Sequence, residues 1–199
     1  MLRIGVKGGC RPLIICVTGM PGSGKTLVTS ILKGYVDAVI SMGDIVRREA
    51  LRRGISLNSK SIMEFAKDIR RVRGANVVAM EVVKEVLERG IKLVVVDGVR
   101  SLDEVNTFRG VGDTYVIAVH SSPKTRFNRL LSRGREGDPR SWDEFVGRDL
   151  AELELGLGSV IALADSIVIN EDVSIDELTS QVVNIFKRLV KDVVSPCRG

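Results

Sequence analysis

Residues 13–26 read LIICVTGMPGSGKT, a six-residue apolar run that ends in a glycine-rich octet. The octet, Gly19-Met20-Pro21-Gly22-Ser23-Gly24-Lys25-Thr26, satisfies the pattern G-x-x-x-x-G-K-[ST]. It follows a predicted strand at 13–18 and opens a predicted helix at 24–33. Glycines let such a turn aim its backbone N–H groups at phosphate oxygens, and the helix that follows presents its positive N-terminus to the same anion. The octet is therefore the candidate ATP-binding loop, with Lys25 placed to reach the β- and γ-phosphates and Thr26 to ligate Mg²⁺. A glycine-rich turn with no ligand has no need of Lys followed by Thr.

Outward from this loop, runs of Val, Ile and Leu alternate with longer stretches of helical period, the signature of a parallel sheet with crossover helices. Strands are expected at 13–18, 38–41, 92–97, 114–120 and 166–169, and their unbroken apolar character suits burial on both faces. Helices are expected at 24–33, 43–53, 60–73, 75–89, 102–109, 123–133, 141–155 and 175–193. Ser61 with Glu64, Ser141 with Glu144 and Ser174 with Glu177 have the spacing of capping boxes. The first 12 residues read as a loose lead-in, and Gly134–Pro139 (GREGDP) as a polar break able to act as a hinge or cover.

Val94–Asp97 (VVVD) sets a carboxylate at the C-terminal end of a buried strand, the edge where open α/β sheets bind ligands. Beside a phosphate loop, Asp97 is the candidate outer-shell magnesium partner; alone it would read as a turn former or helix cap. Arg47 in SMGDIVRREA and Arg100 in DGVRS also lie just beyond strand ends. If their strands flank the first, both guanidinium groups converge on a second anion opposite the ATP γ-phosphate. Asp44, near a predicted helix start, either caps that helix or orients Arg47.

Together GMPGSGKT, ISMGDIVR, VVVDGVR and the late ADSIVIN resemble the P-loop nucleoside and nucleotide kinases, adenylate kinase and dephospho-CoA kinase, and particularly their archaeal adenylate-kinase-related branch. The resemblance spans residues 13 to about 190 and implies a three-layer αβα fold with a five-stranded parallel sheet of order 2-3-1-4-5. It implies that Asp44, Arg47 and Arg100 serve the acceptor, within an acceptor-binding region at about 43–89. It also implies a short lid at about 126–150. Arg129-Leu130-x-x-Arg133 is similar to the motif that starts the lid, and Arg135, Asp138 and Arg148 resemble the charged residues that follow it. By this likeness Arg129 serves ATP, while Arg133, Arg135 and Arg148 join Lys25 in neutralising the transferring phosphoryl group, as phosphoryl transfer requires. Adenylate kinases carry D-G-[FY]-P-R where this chain has Asp97-Gly98-Val99-Arg100, one residue shorter. The lid also lacks a zinc-type cysteine set.

His120, the one histidine, ends the fourth strand and reads as a structural hydrogen bond or turn. Trp142, in the first turn after the lid, reads as a packing anchor rather than a platform for adenine. Asn170 is either a turn former or, by resemblance, part of a loop against the adenine.

Composition agrees with one globular domain over the 199 residues: 44% hydrophobic, 28% charged, 4% aromatic and a net charge of +5. Disorder and disulfide-dense scaffolds are excluded. The apolar run at 13–18 is far short of the ~20 residues a bilayer crossing needs, which points to the cytoplasm. Cys16 is expected in a strand, and Cys10 and Cys197 can pair only if the termini meet. Twenty arginines against ten lysines cluster at 47–53, 70–73 and 126–135; such fields attract polyanions, but without interleaved aromatics they make no base-stacking platform. The expected function is a Mg·ATP-dependent kinase acting on a small nucleotide-like acceptor, a nucleoside monophosphate such as AMP. Dephospho-CoA kinase-like activity, a polynucleotide 5′-hydroxyl kinase and an RNA- or protein-binding regulatory ATPase are the alternatives.

Overall fold

Alternation along the strands sorts the helices into two layers. The computed structural model describes residues 11–194, so Cys10, Cys197 and nearly all of the lead-in lie outside the described residues. Five parallel strands, β1 (Leu13–Thr18), β2 (Ala38–Ser41), β3 (Leu93–Asp97), β4 (Asp113–His120) and β5 (Ser166–Ile169), form one sheet of order β2-β3-β1-β4-β5, as the resemblance implied. Successive side chains of a strand point to opposite faces. Ile14 and Cys16 of β1 accordingly join Val94, Val96 and Val116 in one core. Leu13, Ile15 and Val17 join Leu93, Val95, Ile117 and Val119 in the other. Cys16 is fully buried, and that burial pushes its thiol far above the ordinary range.

The first core is covered by α2 (Met42–Arg52), α3 (Ser59–Arg73), α4 (Val77–Glu88), α5 (Leu102–Val111) and the short α8 (Leu157–Ala162). The second is covered by α1 (Lys25–Leu32) and α9 (Ile175–Val194), which contributes Leu178, Val182, Phe186 and Leu189. α6 (Pro123–Arg133) and α7 (Trp142–Glu154) follow β4 and pack on each other through Phe127, Trp142 and Phe145. Among the described residues no helix is long and apolar enough to cross a membrane.

Caps account for most helix boundaries. Ser141 and Ser174 accept the N–H groups of Glu144 and Glu177, as their spacing predicted. The pairing of Ser61 with Glu64 does not cap α3: Asn58 Oδ1 accepts the Ser61 N–H at 2.9 Å, so Ser61 already lies inside the first turn. α8 was not expected, because Leu155-Gly156-Leu157-Gly158 reads as a turn; Gly156, at φ 96°, instead caps a new helix.

Most arginines of the α2–α4 arm are matched by carboxylates of the same arm. Glu49 receives Arg53 at 2.8 Å, Arg73 at 3.6 Å and Arg52 at 3.9 Å, and Glu85 receives Arg89 at 2.7 Å and Arg48 at 3.0 Å. The clusters at 47–53 and 70–73 are thus largely ion-paired, mostly along their own helices, with Arg73–Glu49 and Arg48–Glu85 joining α3 and α4 to α2.

Candidate active site

The parallel order carries the C-terminal ends of β1, β2, β3 and β4 to one edge, and the octet 19–26 turns there from β1 into α1. Its conformation demands glycine. Gly19 has φ 145° and Gly24 φ 97°, and a Cβ at either would strike the Val119 carbonyl or the Asn170 amide, respectively. Lys25 Nζ donates to the Gly19 carbonyl at 2.6 Å and to that of Met20 at 3.2 Å. Burial pushes the Lys25 ammonium down to about 8, against the upward pull of Asp97 and Glu152. The Thr26 side chain is exposed at the start of α1.

Asp97 ends β3 in register with Val17 of β1 and Ser41 of β2. Its Oδ1 is buried with no hydrogen-bond partner among the described residues, and burial raises its pKa while Lys25 and Arg100 oppose the rise. An orphaned carboxylate oxygen and a free-standing threonine hydroxyl at the edge of a phosphate cradle are hard oxygen donors of the kind Mg²⁺ takes together with phosphate oxygens. The residues present fit the ion.

Beside the cradle is a cavity of about 340 Å³ between α2 and α3 on one side and the 133–138 turn and α7 on the other. Arg47, Arg100, Arg133, Arg135 and Arg148 all line it, so five of the arginines singled out in the sequence converge. Lys67 and Arg70 of α3 line it as well. Four of those five arginines are paired with carboxylates: Asp138 takes Arg133 Nε at 2.8 Å and Arg148 Nη1 at 3.2 Å. These bonds, Arg133's above all, hold the Asp138 carboxyl at about 2. Arg100 Nε stands 3.2 Å from Glu152 Oε2. Asp44 does not line the cavity: the Ser41 hydroxyl caps α2, and Asp44 instead pairs with Arg47 at 2.6 Å. Arg129 lies apart from the cavity, donating to Ser121 Oγ at 2.8 Å on the side of the phosphate loop.

Asn170 supports that loop directly, donating its side-chain amide to the Ser23 carbonyl at 2.8 Å. His120 is exposed and contributes its backbone carbonyl, which accepts the Asn170 N–H. Trp142 packs edge-on to Phe127 and beside Phe145, an anchor as expected.

Three residues that shape the site went unrecognised in the sequence. Glu104, completely buried, accepts Arg70 on Oε1 and the backbone N–H of Arg100 at 2.7 Å and of Ser101 at 3.3 Å on Oε2. Its spacing from Ser101 is that of a capping box and was readable. Arg126 and Asp149 are bonded to each other across 23 positions, a distance at which no local pattern signals contact.

Residues 18–145 match the family described as AAA domain. A UPF0200 protein of Hyperthermus butylicus is 47% identical over 181 residues, covering 91% of this chain and 97% of that protein. This chain belongs to the UPF0200 family. The UPF0200 protein of Thermococcus kodakarensis is 42% identical over 188 residues, covering 92% and 99% of the two chains. Among solved structures, TT1252 from Thermus thermophilus is similar with a TM-score of 0.63 at 17% identity, covering 90% of the UPF0200 chain and 98% of its own. Shikimate kinase from Bacteroides thetaiotaomicron is similar with a TM-score of 0.56 at 16% identity, covering 88% and 98%. At these identities the likeness is one of fold, and the UPF0200 chain has the fold of the P-loop kinases.

Proposed function

We propose that this protein binds Mg·ATP on the loop 19–26 and transfers the γ-phosphoryl group to a small nucleotide-like acceptor, a nucleoside monophosphate such as AMP, seated in the arginine-lined cavity. One observation carries the reading: Arg47, Arg100, Arg133, Arg135 and Arg148, drawn from the acceptor arm, the end of β3 and the lid, line a single cavity. Phosphoryl transfer needs little covalent help from the protein; it needs reactants held in line and fixed cations where negative charge spreads. In this reading Lys25 and the loop amides hold the donor phosphates, and Arg129 flanks the donor side. Arg47 and Arg100 grip the acceptor phosphate, with Asp44 orienting Arg47. Arg133, Arg135 and Arg148 neutralise the group in flight. Thr26 and Asp97 would hold Mg²⁺, which would supply positive charge against that of the phosphates.

The test is phosphoryl transfer from Mg·ATP by the purified protein, with Lys25→Ala as control. The acceptor panel comprises the four nucleoside monophosphates, dephospho-CoA, a 5′-hydroxyl oligonucleotide, shikimate and water. Transfer to one nucleoside monophosphate, abolished in the control, supports the reading. Transfer to dephospho-CoA alone replaces the acceptor. Hydrolysis without transfer refutes the kinase reading in favour of a regulatory ATPase; stimulation by an RNA or protein partner would then be sought.

A further inference from the structure

Arg126 is among the most completely engaged side chains of the site. Its side chain is 4% exposed. Nε donates to the Ser121 carbonyl at 3.2 Å and Nη1 to the carbonyl of Pro21, inside the phosphate loop, at 3.1 Å. Nη1 and Nη2 grip Asp149 of α7 bidentately at 2.9 and 2.6 Å. The charge also stands 4.8 Å from the centre of the Phe145 ring, again on α7. The α6 backbone presses on the same loop, since a Cβ on Gly22 would come within 2.8 Å of the Arg126 carbonyl oxygen. One side chain therefore touches the loop, the end of β4 and the lid helix together.

Asp149 sits on α7 between two charged neighbours that face the cavity. Arg148 precedes it and pairs with Asp138; Glu152, three residues on, pairs with Arg100. Setting the axial position of α7 thus sets both cations. We infer that Arg126 and Asp149 form a positioning pair that registers α7, and with it Arg148 and Arg100, against the phosphate loop. Occupation of the loop is thereby transmitted to the lid helix. This rests on the reading of residues 19–26 as the donor site. A bidentate pair, with Arg126 buried and Asp149 16% exposed, suits the task because its geometry is directional: it resists sliding of α7 as well as separation.

Trp142, the chain's one tryptophan, provides the readout. It lies in the first turn of α7, 46% exposed, with its ring 5.1 Å from that of Phe145 beneath Arg126. The experiment titrates Mg·ATP into the full chain, following heat of binding and Trp142 emission in parallel. The wild type is compared with the double variant Arg126→Met with Asp149→Leu. Replacing both members of a buried pair by apolar groups of similar size commonly preserves the fold. Expected are a Trp142 response on binding in the wild type, and in the variant heat of binding without that response. For AMP as acceptor, kcat is expected to fall by about 100-fold, the scale of a 1 Å misplacement. If circular dichroism shows the double variant unfolded, the nearly isosteric Asp149→Asn carries the same comparison. A variant that keeps the Trp142 response, or a wild type that binds Mg·ATP with silent Trp142, overturns the assignment. Binding with a Trp142 response but no transfer to any acceptor refutes the kinase reading and leaves the positioning role standing; failure to bind Mg·ATP refutes both.

Discussion

Replacing Glu104 by Ala removes the one acceptor shared by Arg70 and by the loop that carries Arg100. Glu104 is wholly buried and Arg70 is 9% exposed at the wall of the arginine cavity, so solvent replaces the four bonds poorly. Those bonds run from Arg70 Nε and Nη2 at 3.3 and 2.9 Å, and from the Arg100 and Ser101 N–H groups. Breaking a buried pair by removing one partner costs about 3–5 kcal/mol, because the other charge stays behind unpaired. In a chain of 150–250 residues each kcal/mol moves the melting temperature by about 2–4 °C, so the expected loss is about 6–20 °C. Thermal unfolding by circular dichroism measures it. Arg71→Ala serves as the internal standard: it removes a pair whose partners are 78% and 56% exposed, and such surface changes stay within about 0.5 kcal/mol. If Glu104→Ala melts no earlier than Arg71→Ala, the carboxylate is not the tie described here.

Three further outcomes are expected. Arg47→Ala removes a charge-assisted contact to the acceptor phosphate worth about 1.5–3 kcal/mol, so acceptor kcat/KM falls by about 10- to 150-fold while ATP binding, checked by calorimetry, is unchanged. Asp97→Asn raises the Mg²⁺ concentration needed for half-maximal ATP binding by about 10- to 100-fold, and an unaltered Mg²⁺ titration removes Asp97 from the metal site. The folded chain releases the Lys25 proton near 8 and the unfolded chain near 10.5, so between these values the unfolded state binds more protons at this group and its contribution to stability rises with pH. Urea midpoints at pH 8 and pH 10, compared between the wild type and Lys25→Met, measure that contribution: Cys16, whose thiol is held protonated by burial in the folded chain, opposes it equally in both, so the wild type gains on the variant as pH rises.

What the sequence disclosed and what it hid divide along a physical line. The octet 19–26, the strand-end Asp97 and the arginines of GD-x-x-R and DG-x-R are local patterns, because strand, turn and helix start follow one another along the chain. Their side chains meet because a parallel sheet brings every strand's C-terminal end to one edge. Contacts made by packing were illegible: nothing near Arg126 announces Asp149, and nothing near Arg70 announces Glu104, 34 positions on. The helix at Leu157–Ala162 was hidden for a different reason, since two glycines in four residues outweigh six residues of helical propensity. Asp44 shows how a short polar residue misleads, being equally suited to capping α2 and to the pair with Arg47 that it makes.

The carboxylates that lace the α2–α4 arm give it a response to heat and salt of its own. Ions lose hydration free energy as temperature rises, whereas apolar burial gains little more. The cluster around Glu49 therefore strengthens on warming relative to the valine-rich sheet it adjoins. Added salt works in the other direction on its exposed members, Arg52 at 77% and Arg53 at 46%. The ion pairs around Glu49, on a helix that flanks the arginine cavity, count for most in hot and dilute solution. Cold brine slackens them first.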